Sequence, residues 1–192
     1  APLVGHSVLR LWVMGNESMH RTATEQETQA MQALLKECLE AGAIGLSTSF
    51  VDMDETLQPV PSRYADAAEL DALCAVLGQH NRILQVVHEF YDNDITVARI
   101  DQLADISRKH KITTTLSPLF VNNDNFAGVD QTIARVVEQN EAGARVWPQV
   151  QTRPIDISFT FSVPSLLFIR LRTWYAVMRF GTPATIMTAF SD

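Results

Sequence analysis

His88 closes the apolar run Leu84-Gln85-Val86-Val87, so it stands where a buried strand would emerge into a site. A neutral imidazole there can bind a metal or act as a general base. A core histidine bonded to the backbone leaves the same trace, and both readings stand. Glu89 points to the opposite side of a continuing strand and so does not share a metal with His88. Asp92 and Asp94 read as caps for a helix starting near Ile95. His6 follows Pro2-Leu3-Val4-Gly5, a second possible strand end, and is the second candidate. Ser47, Thr48 and Ser49 end another apolar run, Ser117 ends a third, and Gln149 ends a fourth. His20, His80 and His110 fall in loops or at helix ends and are assigned no role. A cation at His110 suits the carboxyl end of a helix. Cys38 and Cys74 sit on apolar helix faces, where thiols are inert packing groups. No GxSxG, HExxH or CxxC string occurs.

These residues need elements to hold them, and the chain offers an alternation of helical periodicity with short apolar runs. Thr24 and Glu27 have capping-box spacing, and Met31, Leu34, Leu35, Cys38 and Leu39 then share a helical face. Gly42 stops that helix, and Ala43–Ser47 reads as a buried strand. A second helix starts near Asp66 with Leu70, Leu73, Cys74 and Leu77 inward, and Gly78 is read as its end. Ile83–His88 is the next strand. A helix over about Ile95–Lys109 turns Ile100, Leu103 and Ala104 inward, and Ile112–Leu116 is its strand. A fourth helix carries Val129, Ile133, Val136 and Val137 on one stripe, Gly143 ends it, and Ala144–Trp147 begins another strand. Glu40-Ala41-Gly42-Ala43 and Glu141-Ala142-Gly143-Ala144 are nearly identical, which we read as convergence of helix–glycine–strand junctions.

Such alternation implies parallel strands joined by right-handed crossovers, in an open doubly wound sheet or a (β/α) barrel. No glycine-rich phosphate loop follows any strand, which favours the barrel, whose sites lie beyond the carboxyl ends of the strands. The tail differs. Pro154, Pro164 and Pro183 punctuate it, and Phe159, Phe161, Phe168, Trp174, Tyr175 and Phe180 enrich it in aromatics. It reads as an extended segment with short helices near Ser165–Ile169, Thr173–Arg179 and Thr182–Phe190, either an aromatic-packed excursion or a lid or wall of a substrate channel. We therefore expect residues 1–151 to form a partial barrel and 152–192 an aromatic-rich helical excursion of the same domain.

With 192 residues, 46% of them hydrophobic and 19% charged, the chain is long enough for one sizeable core and is not an intrinsically disordered composition. A net charge of -7 argues against a nucleic-acid-binding surface, and no apolar run is long enough to span a bilayer. Two cysteines cannot make a disulfide framework. The chain opens on Ala1 without an initiator Met, so Ala1 need not be the natural start.

Three strings carry a resemblance. They are Leu3-Val4-Gly5-His6-Ser7-Val8-Leu9-Arg10, Ala23-Thr24 ahead of a helix containing Met31, and Glu40-Ala41-Gly42-Ala43-Ile44-Gly45-Leu46-Ser47-Thr48-Ser49. In order and separation, residues 1–151 resemble the N-acyl-D-amino-acid deacylase branch of the amidohydrolase superfamily. The tail resembles less characterised members through Val146-Trp147-Pro148-Gln149-Val150 and its aromatic stretch. The resemblance implies the central part, about strands three to seven, of a distorted (β/α)8 barrel with a zinc centre. It also implies hydrolysis of the amide of an N-acylated D-amino acid or related compound, in the cytoplasm. It places His88 at the family's metal-binding histidine of the fifth strand. His6, Ser47, Ser49 and Ser117 fall near substrate or behind the ligands. The loop from Asp52 to Tyr64 borders substrate, with Arg63 as a carboxylate clamp whose planar fork suits that group.

Four features depart from the family. Its paired histidines of the first strand and its proton-handling aspartate of the eighth have no counterpart, so no catalytic residue is assigned in this chain. Ser117-Pro118 replaces Ser-His, and His88-Glu89-Phe90 lacks the arginine two residues on. We expect a longer parent enzyme acting on a small-molecule amide, with the rest of the barrel as partner. The isolated chain is expected to be inactive and able to self-associate through open strand edges. A non-catalytic small-molecule-binding protein on a degenerate barrel is the alternative.

Overall fold

The structure, a computed structural model, describes residues 2–54, 56, 58–89, 92–119, 126–150, 152 and 182–189. The chain divides into two compact units, residues 1–52 with 60–151, and residues 53–59 with 152–192.

In the first unit, strand β1 (Leu3–Gly5) runs straight into helix α1 (His6–Met14) and a 3-10 turn, Gly15–Met19. Helix α2 (Glu25–Glu40) starts on the capping box expected from the sequence. The Thr24 hydroxyl accepts from the Glu27 amide at 3.2 Å, and the Glu27 carboxylate accepts from the Thr24 amide at 2.8 Å. Then come β2 (Gly45–Ser49), a 3-10 turn at Pro61–Tyr64, α3 (Ala67–Gln79), β3 (Ile83–Val87), α4 (Asn93–His110), β4 (Thr114–Ser117), α5 (Phe126–Glu141) and β5 (Val146–Pro148). Asp66 caps α3 by accepting from the Glu69 amide, and Asp92 caps α4 by accepting from Asp94 and Ile95.

All four strand pairings are parallel, and the sheet order is β1-β2-β3-β4-β5. Each crossover steps to the next neighbour in the same direction. Right-handed crossovers of that kind put every helix on one face, as in a (β/α) barrel, whereas a doubly wound sheet reverses direction at a switch point. The unit is thus a five-stranded portion of a barrel-type sheet. Leu46, Leu84, Val86, Leu116 and Val146 form one core with Leu35, Leu39, Leu73, Leu77 and Leu103 of the helices. On the opposite face, register sets Ser47, Gln85, Thr115 and Trp147 in one row and Ser49, Val87 and Ser117 in the next.

The structure corrects several sequence expectations. Strands β2, β4 and β5 begin two residues later than the apolar runs suggested: Ala43 and Ala144 bond back to the preceding helices, while Ile44, Thr113 and Arg145 bond to the neighbouring segment outside the regular ladder. Gly42 and Gly143 both have positive φ, at 111° and 89°, and the following alanine amides bond back to Cys38 and Gln139 in the same way. That shared geometry accounts for the repeated junction string. Gly78 does not end α3, which runs to Gln79. A Cβ there would lie 2.5 Å from the carbonyl oxygen of His110, so the glycine permits close approach to the end of α4. On α5, Val129 and Val136 are buried but Ile133 and Val137 are exposed, and Thr132 and Gln139 take the inward positions instead. Gln139 faces α4, where it donates to Asp101 and accepts from Arg108.

In the second unit, Met53 and Pro59 form an antiparallel bridge around a turn in which Asp54 accepts from the amides of Thr56 and Gln58. A helix spans Pro183–Ala189, within the expected Thr182–Phe190. The expected helices at 165–169 and 173–179 lie outside the described residues. Among the described residues no helix is long and apolar enough to cross a membrane.

Candidate functional site

The carboxyl ends of β1, β2 and β3 meet the first turn of α3 and the Arg99–Gln102 stretch of α4 around a cavity of about 320 Å³. His6, Thr48, Phe50, Arg63, Glu89 and Arg99 stand in its wall. His6 reaches it because β1 passes into α1 without a loop, which puts residue 6 at both a strand end and a helix start.

His6 is only 1% exposed. Its Nδ1 lies 2.9 Å from the Thr48 hydroxyl and its Nε2 lies 2.7 Å from the Glu69 carboxylate. Arg10, one helical turn after His6, is fully buried and donates to the other Glu69 oxygen, and also to the carbonyls of Ser18 and Arg21. Burial by itself would raise the Glu69 pKa. The hydrogen bonds and charges of His6 and Arg10 outweigh it and hold the carboxyl below its ordinary range. A charge this deeply buried is tolerable only when paired in this way. Arg10 and Glu69 do not stand out in the sequence as site residues. The available signal was the i, i+4 spacing of His6 and Arg10, which sets two polar residues on one helix face.

His88 follows the last residue of β3, and its amide continues the ladder by donating to the Ser117 carbonyl at 3.3 Å. The ring is 2% exposed. Its Nδ1 lies 2.5 Å from the carbonyl oxygen of Glu89 and its Nε2 lies 3.2 Å from that of Pro118. Burial pushes its pKa below the ordinary histidine value, against the two carbonyls, which favour the protonated ring. A neutral ring has one N–H for two carbonyl acceptors.

Glu89 accepts from Arg99 through both carboxylate oxygens, with Nε and Nη2 each at 3.0 Å. The Arg99 guanidinium stands 4.2 Å above the centroid of the Phe50 ring. Arg63 is exposed and spends one nitrogen on the Val51 carbonyl at 3.2 Å, at the cavity wall. Ser49 accepts from the amides of Val51 and Asp52, fixing the exit of β2. The expected site residues thus fall in three places. His6 and Arg63 line the cavity. Ser47, Ser49 and Ser117 share one face of the sheet by register. His88 stands beyond the end of β3, next to Glu89 of the cavity wall. Cys74 is buried, and burial pushes its thiol up to about 12, so it is not a nucleophile.

His88 carries an imidazole, a donor type that binds metals, and both of its ring nitrogens lie within hydrogen-bond distance of backbone carbonyls. Among the described residues no group of three or more His, Cys, Asp or Glu side chains could hold a metal ion. These residues therefore do not compose a metal centre on their own.

No family model matches the chain. It is 35% identical over 117 residues to the N-acyl-D-glutamate deacylase of Alcaligenes xylosoxydans xylosoxydans, covering 61% of this chain and 22% of that one. It is 32% identical over 117 residues to the D-aminoacylase of the same organism, with the same coverage. Among solved structures, N-acyl-D-glutamate deacylase from Bordetella bronchiseptica, complexed with zinc and a phosphonate inhibitor, superposes with a TM-score of 0.67 at 30% identity. That match covers 80% of this chain and 31% of the other. The chain is homologous over these residues to the N-acyl-D-amino-acid deacylase branch of the amidohydrolase superfamily. It spans about a fifth of the length of the curated relatives it matches.

Proposed function

We propose that this chain is the central part, about strands three to seven, of a (β/α)8 amidohydrolase barrel. Its full-length parent is a cytoplasmic zinc enzyme that hydrolyses the amide C–N bond of an N-acylated D-amino acid or related compound. Residues 1–151 supply the partial barrel and 152–192 an aromatic-rich segment of the same domain. His88 gives one metal ligand. His6, Ser47, Ser49, Arg63 and Ser117 serve substrate or the groups around it, with Arg63 receiving a carboxylate. The bound metal would supply a water of lowered pKa and a polarised carbonyl. The chain's own residues orient and enclose.

The observation that carries this reading is the position of a buried imidazole at the carboxyl end of a strand in a sequentially ordered parallel sheet, within a region homologous to deacylases. The edges of the sheet support it. Val8, Leu11 and Trp12 are exposed on α1, and Ile133 and Val137 on α5, whereas α4 exposes Ile95 alone and α2 and α3 expose no large apolar residue. Apolar exposure concentrated on the helices next to the two outermost strands fits further barrel units on either side.

One observation favours a second reading. Where the family pattern has histidine, Pro118 offers His88 only a backbone carbonyl. A non-catalytic binding protein on the same scaffold would show ligand-induced stabilisation without turnover. The test is an assay of N-acyl-D-amino acids with zinc. The full-length parent is expected to hydrolyse them and the purified 192-residue chain is expected to show no turnover. A parent that binds without turnover supports the second reading, and zinc-dependent turnover by the chain alone contradicts the partial-site account.

A further inference from the structure

We infer that Thr48, His6 and Glu69 form a hydroxyl–imidazole–carboxylate triad at the cavity wall, able to cleave small activated carboxylic esters through an acyl group carried on Thr48. This activity goes beyond the amide hydrolysis proposed above, and none of its steps uses a metal.

Thr48 follows Leu46 onto the face of the sheet that the helices cover, whereas Ser47 and Ser49 face the other way. Near the carboxyl end of β2 its hydroxyl meets the start of α1, where the His6 ring stands. Both partners of that ring are side chains. Thr48 Oγ1 lies 2.9 Å from Nδ1, and Glu69 Oε1 lies 2.7 Å from Nε2. An ionised carboxylate only accepts, so Nε2 carries the proton that Glu69 receives. In the neutral ring, Nδ1 then has a lone pair for the Thr48 proton. Arg10 closes the arrangement from behind by donating to the other Glu69 oxygen. The two nitrogens face their partners in the reverse of the serine-protease order. The chemistry requires only a bare nitrogen against the hydroxyl and an N–H against the carboxylate. An apolar trio of similar volume is often at least as stable as a buried ion cluster, so stability alone does not call for this one.

His6 and Thr48 both stand in the wall of the 320 Å³ cavity. Phe50 and Leu70 give it apolar lining for a short acyl chain. Arg63, also in the wall, uses only Nη1 on backbone carbonyls and supplies a cation for a developing oxyanion. In the first step Thr48 Oγ1 bonds to the ester carbon and its proton passes to His6 Nδ1. The carbon–oxygen bond to the leaving group then breaks, and the departing alcohol takes that proton. In the second step a water gives a proton to Nδ1 and adds to the acyl carbon. Thr48 leaves with the proton, and the carboxylic acid is released.

The test is p-nitrophenyl acetate given to the full 192-residue chain, with and without chelator. Release of p-nitrophenol is followed, and acid-quenched protein is digested and mapped by mass spectrometry. The wild type is expected to release the phenol equally in both conditions and to carry one acetyl group on Thr48. Thr48→Ser is expected to keep the activity. Thr48→Val and His6→Gln, each checked for folding by circular dichroism, are expected to lower the release rate about 100-fold or more. A folded Thr48→Val with the wild-type rate overturns the triad, as does release abolished by chelator. Should neither variant fold, the wild type still decides: acetyl groups found on lysines or other residues but never on Thr48 overturn it.

Discussion

Replacing Glu69 by glutamine is expected to lower the unfolding free energy by about 3–5 kcal/mol, the usual loss when one partner of a buried ion pair is removed. Glu69 is 2% exposed and serves two partners, His6 and Arg10, that are as deeply buried. The amide would leave the Arg10 cation inside the protein without a counter-charge. Urea denaturation near pH 7 reads the effect as a drop in midpoint at constant slope. A loss below about 1 kcal/mol would mean that the cluster is effectively solvated, as surface pairs are. The pH dependence has a definite sign. The folded carboxyl titrates below its ordinary range, so its contribution is present above the unfolded value and disappears as pH falls through the folded one. The gap between wild type and variant should therefore narrow in acid, below about pH 4.

Gly45→Ala is expected to be equally severe, at about 3 kcal/mol or more, for a steric reason. A Cβ at Gly45 would lie 2.1 Å from the carbonyl oxygen of Ile83 and 2.8 Å from its Cγ1. That oxygen belongs to the backbone of the neighbouring strand and cannot swing aside as a side chain can. Relief requires β2 and β3 to part at their start, which would displace Thr48 and His88 at their ends. Gly5→Ala is the internal control. Its Cβ would have the Val8 side chain as nearest neighbour, at 3.3 Å, and the expected change is below about 1 kcal/mol. Equal stability of Gly45→Ala and wild type in thermal unfolding would contradict the close strand pairing.

The helices that obey ordinary amphipathic logic are legible in the sequence. Helices α2, α3 and α4 bury Leu35, Leu73 and Leu103 as their periodicity requires, and their caps at Thr24, Asp66 and Asp92 are where polar residues announce them. Helix α1 was not legible because its buried face mixes His6 and Arg10 with Leu9 and Met14. It buries His6 and Arg10 and leaves Trp12 78% exposed. Helix α5 misleads in the same way, with Thr132 inside and Ile133 outside. Both flank the outermost strands, where a face exposed in this chain carries apolar residues. Periodicity then reports a contact that these residues do not make. The candidate site was legible in part. Strand ends pointed to His6, Ser47, Ser49, His88 and Ser117, and the register shows why Ser47 and Ser117 share a face. The grip of Arg99 on Glu89 was not visible, because a ten-residue separation across a loop and a helix turn has no sequence signature.

The most direct test of the account is the zinc content of the full-length parent and of the same protein carrying His88→Ala, each purified without added chelator. The account predicts zinc in the parent and a loss of affinity greater than about 100-fold in the variant, beyond what disturbing a supporting residue does. A parent free of zinc, or a variant that keeps its zinc undiminished, would contradict it.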